Sequence, residues 1–372
     1  MRHKHGRGER YAVLIEAFEF SPCVMPKEDP AWRFALGARP LTEGMIVTLS
    51  AGGVSGHGYA SSAPHMGSTM ESLAADLALF RGSVVGHEHD AIAAIMDELE
   101  RATGSRQAKA AVDCALHDLL ARTLNVPLCT LFGGAVLRSF PVLRILAIKT
   151  PDEMAANAVR LAEQGVRYLK IKIHGDADDD VARVRAVRKA VGDDIHLTVD
   201  ANQSYAAKDA VTAINRMASF GIDLVEQPVP AGDHEGLALV SRMTETLIEA
   251  DEAAASLADI EQLVSRRLCG AVSLKLPKLG GLRNALAAAR ICEAGGMRYR
   301  FGAAVGSRLL TAHALHLAAT LPGISYACEF GEFDRLLNDP FEGLETNKGV
   351  IELPAGAGTG VRPARRQQAG AA

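Results

Sequence analysis

The feature that most constrains this chain is a rhythm. From about Ser139 to Gly331, short apolar runs alternate with helix-compatible runs. The apolar runs fall at 142–148, 168–173, 196–200, 224–226, 247–250, 271–276, 297–301 and, most weakly, 324–328. The intervening runs fall at 152–164, 179–191, 206–220, 235–243, 257–266, 281–294 and 306–319. Parallel strands need a crossover of about a dozen residues, which a helix supplies. Eight strands and seven helices predict an α/β fold of the closed (β/α) barrel type. An open doubly wound sheet is the alternative, and the even spacing favours the barrel.

The flanks lack this rhythm. Residues 1–134 hold a first strand at 11–20, a Pro- and charge-rich loop at 21–40, and a β-like pair at 45–49 and 57–60. Helices are expected at 70–79, 91–101 and 107–124, the last rich in small residues suited to close packing. Three units follow: an α+β cap (1–134), the barrel (135–331), and a C-terminal segment (332–372). In that segment 349–353 is expected to return to the cap, and a disordered tail begins at about 363.

Charge narrows the partners. Lys and Arg number 40 against 44 Asp and Glu, a net charge of −4, which is poor support for nucleic acid or an anionic membrane surface. No apolar stretch of about 18 residues lacks charge, so no membrane span is expected. The basic residues 1–10 do not read as a secretory signal. They read as a flexible leader, an expression remnant or a misassigned start. Six scattered cysteines without a CxxC read as reduced thiols of a cytoplasmic protein.

The chemistry sits where strands two to six stop. They end in Lys170-Ile-Lys172, Asp200-Ala-Asn202, Glu226-Gln-Pro228, Asp251-Glu252 and Lys275-Leu-Pro-Lys278. In a barrel these ends converge on one rim, where barrel active sites lie. Lys170 and Lys172 share a strand face. Asp200, Glu226 and Asp251 would repel one another without a cation. Mg²⁺ suits such an all-oxygen site. Lys172 flanks the carboxylates on one side and Lys275 on the other. Five such residues in order argue against a solvated loop or a structural ion pair at each position. Glu249 shares parity with Asp251 and is expected one layer deeper, paired with a lysine.

These segments, with Thr198-Val-Asp200, Val225-Glu226 and Lys278-Leu-Gly-Gly281, resemble the enolase superfamily in its muconate lactonizing enzyme subgroup. The likeness covers nearly the whole chain. It implies a modified (β/α)₇β barrel under an α+β cap, and removal of a proton α to a carboxylate to give an enediolate held by Mg²⁺. It implies Lys172 and Lys275 as the acid/base pair, supported by Lys170. Asp200, Glu226 and Asp251 would be the metal ligands, with Asn202 and Lys278 supporting the substrate. A base lysine needs a pKa lowered toward neutral, which neighbouring cations favour. The family also implies a symmetric homo-oligomer and cap loops that select substrate, here Met25, Trp32, Phe34 and His57. Trp32 reads equally well as core.

Two departures bear on the reaction. Strand seven ends Arg300-Phe301-Gly302, without the His of the mandelate racemase subgroup. Strand eight reads Cys328-Glu329-Phe330, without the Asp-x-Asp by which dipeptide epimerases hold an ammonium. Glu329 either polarises the substrate or pairs with Lys275. Of the rest, His87 and His89 are expected in a turn, His313 and His316 as a packed or surface pair, and Gly280-Gly281 as a turn whose N–H groups are free to face an anion. The expected function is racemisation or epimerisation of a small carboxylate or amino acid derivative. Cycloisomerisation or dehydration is the alternative, and a non-catalytic carboxylate-binding barrel the remote one.

Overall fold

The computed structural model describes residues 13–364; the basic residues 1–10 and most of the expected tail lie outside them. Five strands open the chain. They are β1 (Ala17–Pro26), the short ribbon of β2 (Arg33–Phe34) and β3 (Gly37–Ala38), β4 (Leu41–Ala51) and β5 (Val54–Ser61). β1, β4 and β5 form an antiparallel sheet with β4 central. Residues 21–26, expected in a loop, instead continue β1, with Ser21 opposite Ile46 and Pro26 opposite Leu41. Pro22 and Pro26 fit there because β1 is an edge strand, where a missing donor is tolerated.

Helices α1 (Met70–Phe80), α2 (Ile92–Arg101) and α3 (Arg106–Thr123) complete the cap. α1 begins with a reciprocal Thr69–Ser72 capping box, and the Ser105 hydroxyl accepts the Ala108 N–H at the start of α3. α3 lies directly on β5. A Cβ at Gly56 or Gly58 would run into the α3 backbone at Leu119 and Ala111. The small residues of α3 and these glycines together permit the close approach.

After the short β6 (Ser139–Pro141) come seven parallel strands. These are β7 (Leu143–Leu146), β8 (Tyr168–Lys172), β9 (His196–Asp200), β10 (Ile222–Glu226), β11 (Leu247–Ala250), β12 (Ala271–Leu274) and β13 (Arg298–Phe301), neighbours in sequence order. Around them run α4 (Pro151–Glu163), α5 (Ala177–Val191), α6 (Ala207–Ala218), α7 (His234–Met243), α8 (Leu257–Arg266), the single turn α9 (Leu276–Leu279), α10 (Leu282–Gly295) and α11 (Arg308–Ala318). Outward strand residues such as Leu169, Ile171, Val199, Val225 and Val272 are buried under these helices.

The eighth run does not form a regular strand. Residues 324–328 join both sheet edges through single bridges, Tyr299 to Ile324 and Val142 to Cys328. That suffices to close the ring.

The C-terminal segment holds β14 (Phe341–Glu342), β15 (Thr346–Asn347), β16 (Val350–Glu352) and β17 (Arg362–Pro363). β16 pairs with β6 at the entrance to the barrel, not with the cap as expected. The return to the cap is made further on, where Leu128 N–H bonds Gly358 O and Thr359 N–H donates to Asp118. Arg362 and Pro363 pair with β14, close to where the tail was expected to begin. Among the described residues no helix is long and apolar enough to cross a membrane, and all six cysteines are buried and unpaired.

Candidate active site

Strand parity and register build the site. Alternation turns Lys170 and Lys172 of β8 inward while Leu169 and Ile171 face the helices. Register sets Lys172 beside Asp200, and Asp200 beside Glu226. Glu249 is the residue level with Glu226, and Asp251 emerges just past β11. Lys275 follows β12, and Lys278 sits on α9. At the ends of β9 and β10, Asn202 and Gln227 adopt left-handed backbone conformations (φ 42° and 37°). Such strain persists only where surrounding contacts fix it. Gln227 Oε1 accepts from the Asp251 and Ala253 N–H groups, pinning the backbone that carries Asp251.

The charges interlock in layers. Lys170 Nζ donates to Glu226 (2.9 Å) and Glu329 (2.5 Å) and lies 3.1 Å from Asp200. Lys172 Nζ donates to Asp200 (2.5 Å) and to Asn202 Oδ1 (2.8 Å), whose amide donates to Glu252 (3.1 Å). Lys275 donates to Asp251 (2.5 Å), and Lys278 donates to the Asp251 carboxylate and to Ser273 O (3.1 Å). Deeper in the barrel, Arg300 of β13 reaches Glu226, Glu249 and Glu329, each at 2.6 Å.

Two expected pairings are therefore corrected. The partner of Glu249 is Arg300 and not a lysine, because a planar guanidinium grips several carboxylates at once. Glu329 bonds Lys170, Arg300 and the Ala303 N–H (2.7 Å) and makes no bond to Lys275.

The electrostatics follow from these contacts. Burial works against ionised Asp251, yet Lys275 and Lys278 hold its carboxyl well below the usual range. Burial, then Asp200, pushes Glu226 upward. Burial works to lower Lys275, but Asp251 and Glu226 override it and hold the ammonium above its ordinary value. That is opposite to the lowering expected for a base, because the Asp251 and Glu226 carboxylates outweigh burial and the Lys170 charge.

Among the described residues no three acidic, His or Cys side chains are grouped as a closed metal cluster. Instead Lys170 bridges Asp200 and Glu226, and Lys275 and Lys278 hold Asp251. Two observations nonetheless fit a divalent cation. Glu226 Oε1 is buried without a hydrogen-bond partner. The site also holds six carboxylates (Asp200, Glu226, Glu249, Asp251, Glu252, Glu329) against five cations (Lys170, Lys172, Lys275, Lys278, Arg300), all buried except the half-buried Glu252 and Lys275. A divalent cation and one substrate carboxylate would bring that count to zero.

A cavity of about 170 Å³ opens between this layer and the cap. Lys170, Lys172, Asn202, Asp251, Lys275, Lys278 and Glu329 border it, as do Trp32 and Phe34. Asp200 and Glu226 lie beneath. Trp32 both lines the cavity and packs with Phe34, Ile145 and Ala147. Lys172 Nζ stands 5.6 Å over the Phe34 ring. Met25 and His57 do not border the cavity. Met25 is fully buried because β1 extends further than expected and turns it into the core. His57 bonds Thr48 across β4 and β5 and packs edge-on to Phe341.

Arg39, His65, Glu252, Gln227 and Arg300 escaped the sequence reading as functional candidates. Arg300 carried one usable signal, an arginine between Tyr299 and Phe301 in a strand expected to be buried. The Gly280 and Gly281 N–H groups face no anion, since both donate to Leu276 O (3.0 Å each); it is the next N–H, of Leu282, that donates to the chain's own Asp113 (2.6 Å).

Comparison with known proteins bears on this geometry. The mandelate racemase / muconate lactonizing enzyme N-terminal domain matches residues 19–133, and the enolase C-terminal domain-like family matches residues 153–367. A chloromuconate cycloisomerase of Cupriavidus necator is 35% identical over 329 residues, covering 85% of this chain and 88% of that protein. A hydrophobic dipeptide epimerase of Enterococcus faecalis is 36% identical over 312 residues, covering 82% and 87%. The solved structure of a dipeptide epimerase from Enterococcus faecalis, complexed with Mg and the dipeptide L-Leu-L-Tyr, superposes with a TM-score of 0.89. It is 31% identical and covers 94% of this chain and 99% of that one.

Proposed function

The chain belongs to the mandelate racemase / muconate lactonizing enzyme family of the enolase superfamily, and from that premise we propose that it is an isomerase that removes the proton α to a substrate carboxylate, most simply to racemise or epimerise an amino acid derivative. The observation that carries this reading is the pair of lysines, Lys172 and Lys275, which border one cavity and flank three buried carboxylates, Asp251 in its wall and Asp200 and Glu226 beneath it. One lysine takes the α-proton as a free amine. The other, as ammonium, returns a proton to the opposite face of the carbon. Lys170 stays protonated between Asp200, Glu226 and Glu329 and adds positive charge where the carboxylate builds up negative charge. A Mg²⁺ held by Asp200, Glu226 and Asp251 would supply Lewis acidity to that same carboxylate. The magnesium in the related epimerase structure supports this assignment.

Glu329, the carboxylate of the eighth segment, is fully engaged, so that segment offers nothing to an α-ammonium. This favours an acylated amine, or no amine, over a free dipeptide. Cycloisomerisation is the second reading, supported by the 35% identity to a chloromuconate cycloisomerase.

The test is NMR of α-deuterium uptake in D₂O with Mg²⁺, using both enantiomers of a panel of N-acyl amino acids. For racemisation, Lys172→Ala should abolish exchange of one enantiomer and Lys275→Ala that of the other, with net racemisation lost in both. Retained exchange of both enantiomers in either variant would sink the two-base mechanism and favour cycloisomerisation.

A further inference from the structure

A second cavity, of about 230 Å³, shares Trp32 and Lys27 with the barrel-mouth cavity as its border. None of the residues assigned above to proton transfer or metal binding borders it. Most of its charged groups are already committed. Lys27 Nζ donates to Arg39 O (2.8 Å), Leu41 O (3.2 Å) and Thr42 Oγ1 (3.1 Å), so it has no proton left for a ligand. Asp29 accepts the Ala31 N–H (2.9 Å) and pairs with Lys149 (3.1 Å). Glu153 accepts from Thr150 at the start of α4, and Glu28 is exposed. Arg335 is different. Its Nη1 donates to Ile145 O (2.6 Å) and lies 3.8 Å from Glu332, while its Nη2 is buried with no partner. Arg160 of α4 also borders the cavity and bonds Asn157 Oδ1 of its own helix (2.7 Å). Burial is the main cause that lowers the Arg335 guanidinium from its ordinary value; Glu332 opposes it, and the charges of Arg144 and Arg160 add to it. A guanidinium keeps its proton all the same. Nη2 is thus a charged donor held out of water without an acceptor.

We propose that this side cavity is a second binding site, for a small oxyanion seated between the guanidiniums of Arg335 and Arg160. Inorganic phosphate and a carboxylate present the same chemistry, oxygens on one charged centre that guanidiniums grip through parallel N–H bonds. Trp32, Ala147 and Met154, all buried, give the seat an apolar wall. The seat also bears on the cap. The Glu28 N–H donates to Arg335 O (2.9 Å) and the Leu337 N–H to Pro26 O (2.8 Å), so the segment that carries Arg335 runs along the end of β1. Trp32 is tied in turn to Arg39, whose N–H donates to its carbonyl (2.9 Å). An anion on Arg335 therefore sits against the loop from Lys27 to Trp32, which borders both cavities.

Trp32, the single tryptophan, borders the side cavity and reports its filling by fluorescence. The protein in EDTA is titrated with inorganic phosphate and, separately, with acetate, with chloride at matched ionic strength as the blank. Calorimetry supplies the stoichiometry. At least one of the two oxyanions should saturate at one per chain, and the tighter one names the source. Arg335→Gln and Arg160→Gln should each weaken it about tenfold or more. Arg160 is exposed, so its variant tests the seat even where Arg335→Gln fails to fold. Lys172→Ala, in the barrel mouth, should leave the affinity unchanged. The bound anion should also raise Tm in wild type and not in Arg160→Gln. No saturable binding of phosphate or acetate, an affinity unchanged in Arg160→Gln, or a loss in Lys172→Ala that Arg160→Gln does not share overturns the proposal.

Discussion

At Glu226 one oxygen is committed and the other is not. Oε2 accepts from Lys170 and Arg300, while Oε1 is buried with no partner. Leaving a buried acceptor unpaired costs about 1–3 kcal/mol, more for a charged group. A fold keeps such a cost where a ligand removes it. Glu226→Gln should therefore lose most Mg²⁺ affinity while folding normally. In wild type, Mg²⁺ at a hundredfold over its Kd should add about 2.7 kcal/mol to stability. In the variant, melting curves with Mg²⁺ and with EDTA should coincide. A full Mg²⁺-dependent rise in Tm for the variant would remove Glu226 from the ligand set.

Between elements, the junction of α3 with α10 holds the segment that carries Lys275 and Lys278. Asp113 comes from the cap, is buried, and caps the first turn of α10 through the Leu282 N–H. Gly281, at φ +124°, makes room for it, since a Cβ there would stand 2.6 Å from Asp113 Cβ. Gly280, at φ +86°, has only ordinary contacts of 3.4 Å and beyond. Gly281→Ala should thus cost roughly 2–4 kcal/mol, combining backbone strain with the lost cap. Gly280→Ala should cost about 1 kcal/mol, from backbone conformation alone. Urea denaturation of the two variants checks the ranking. Equal losses would mean that the Asp113 seat contributes nothing.

Across the whole molecule, His316 ties together the barrel helix α11, the end of the cap and the C-terminal segment. Cys129 N–H donates to its Nδ1 (3.3 Å), so Nε2 carries the proton and donates to Thr359 O (3.1 Å). Burial is the main cause that lowers its pKa to about 4. A folded pKa below the unfolded value means the unfolded chain binds the proton first. The contribution of His316 is whole above about pH 6.5 and is lost progressively as pH falls toward about 4. The loss should be about 2 kcal/mol by pH 5. His316→Gln should flatten the fall of stability with acid across that window. An unchanged slope would show that other groups set the acid limit.

The sequence by itself determined the barrel, the cap and the order of the charged strand ends. Those depend on local periodicity and on parity along one strand, which each segment carries alone. Thus α8 (Leu257–Arg266) falls where its periodicity places it, and Lys170, Lys172, Asp200, Glu226, Asp251 and Lys275 could be read as facing one rim. Tertiary structure decided what each charge touches. Arg300 bonds both Glu249, two strands away on β11, and Glu329 of the neighbouring eighth segment, because inward residues meet in the barrel interior. The eighth segment closes the ring through two bridges because its ladder depends on both neighbouring edges and not on its own residues. Met25 left the expected lid because pairing with β4 drew residues 21–26 into β1. Arg39 entered the wall because Lys27 and Trp32 fix the short loop that carries it. Side-chain partners on different elements are set by packing, and no local pattern in the chain records them.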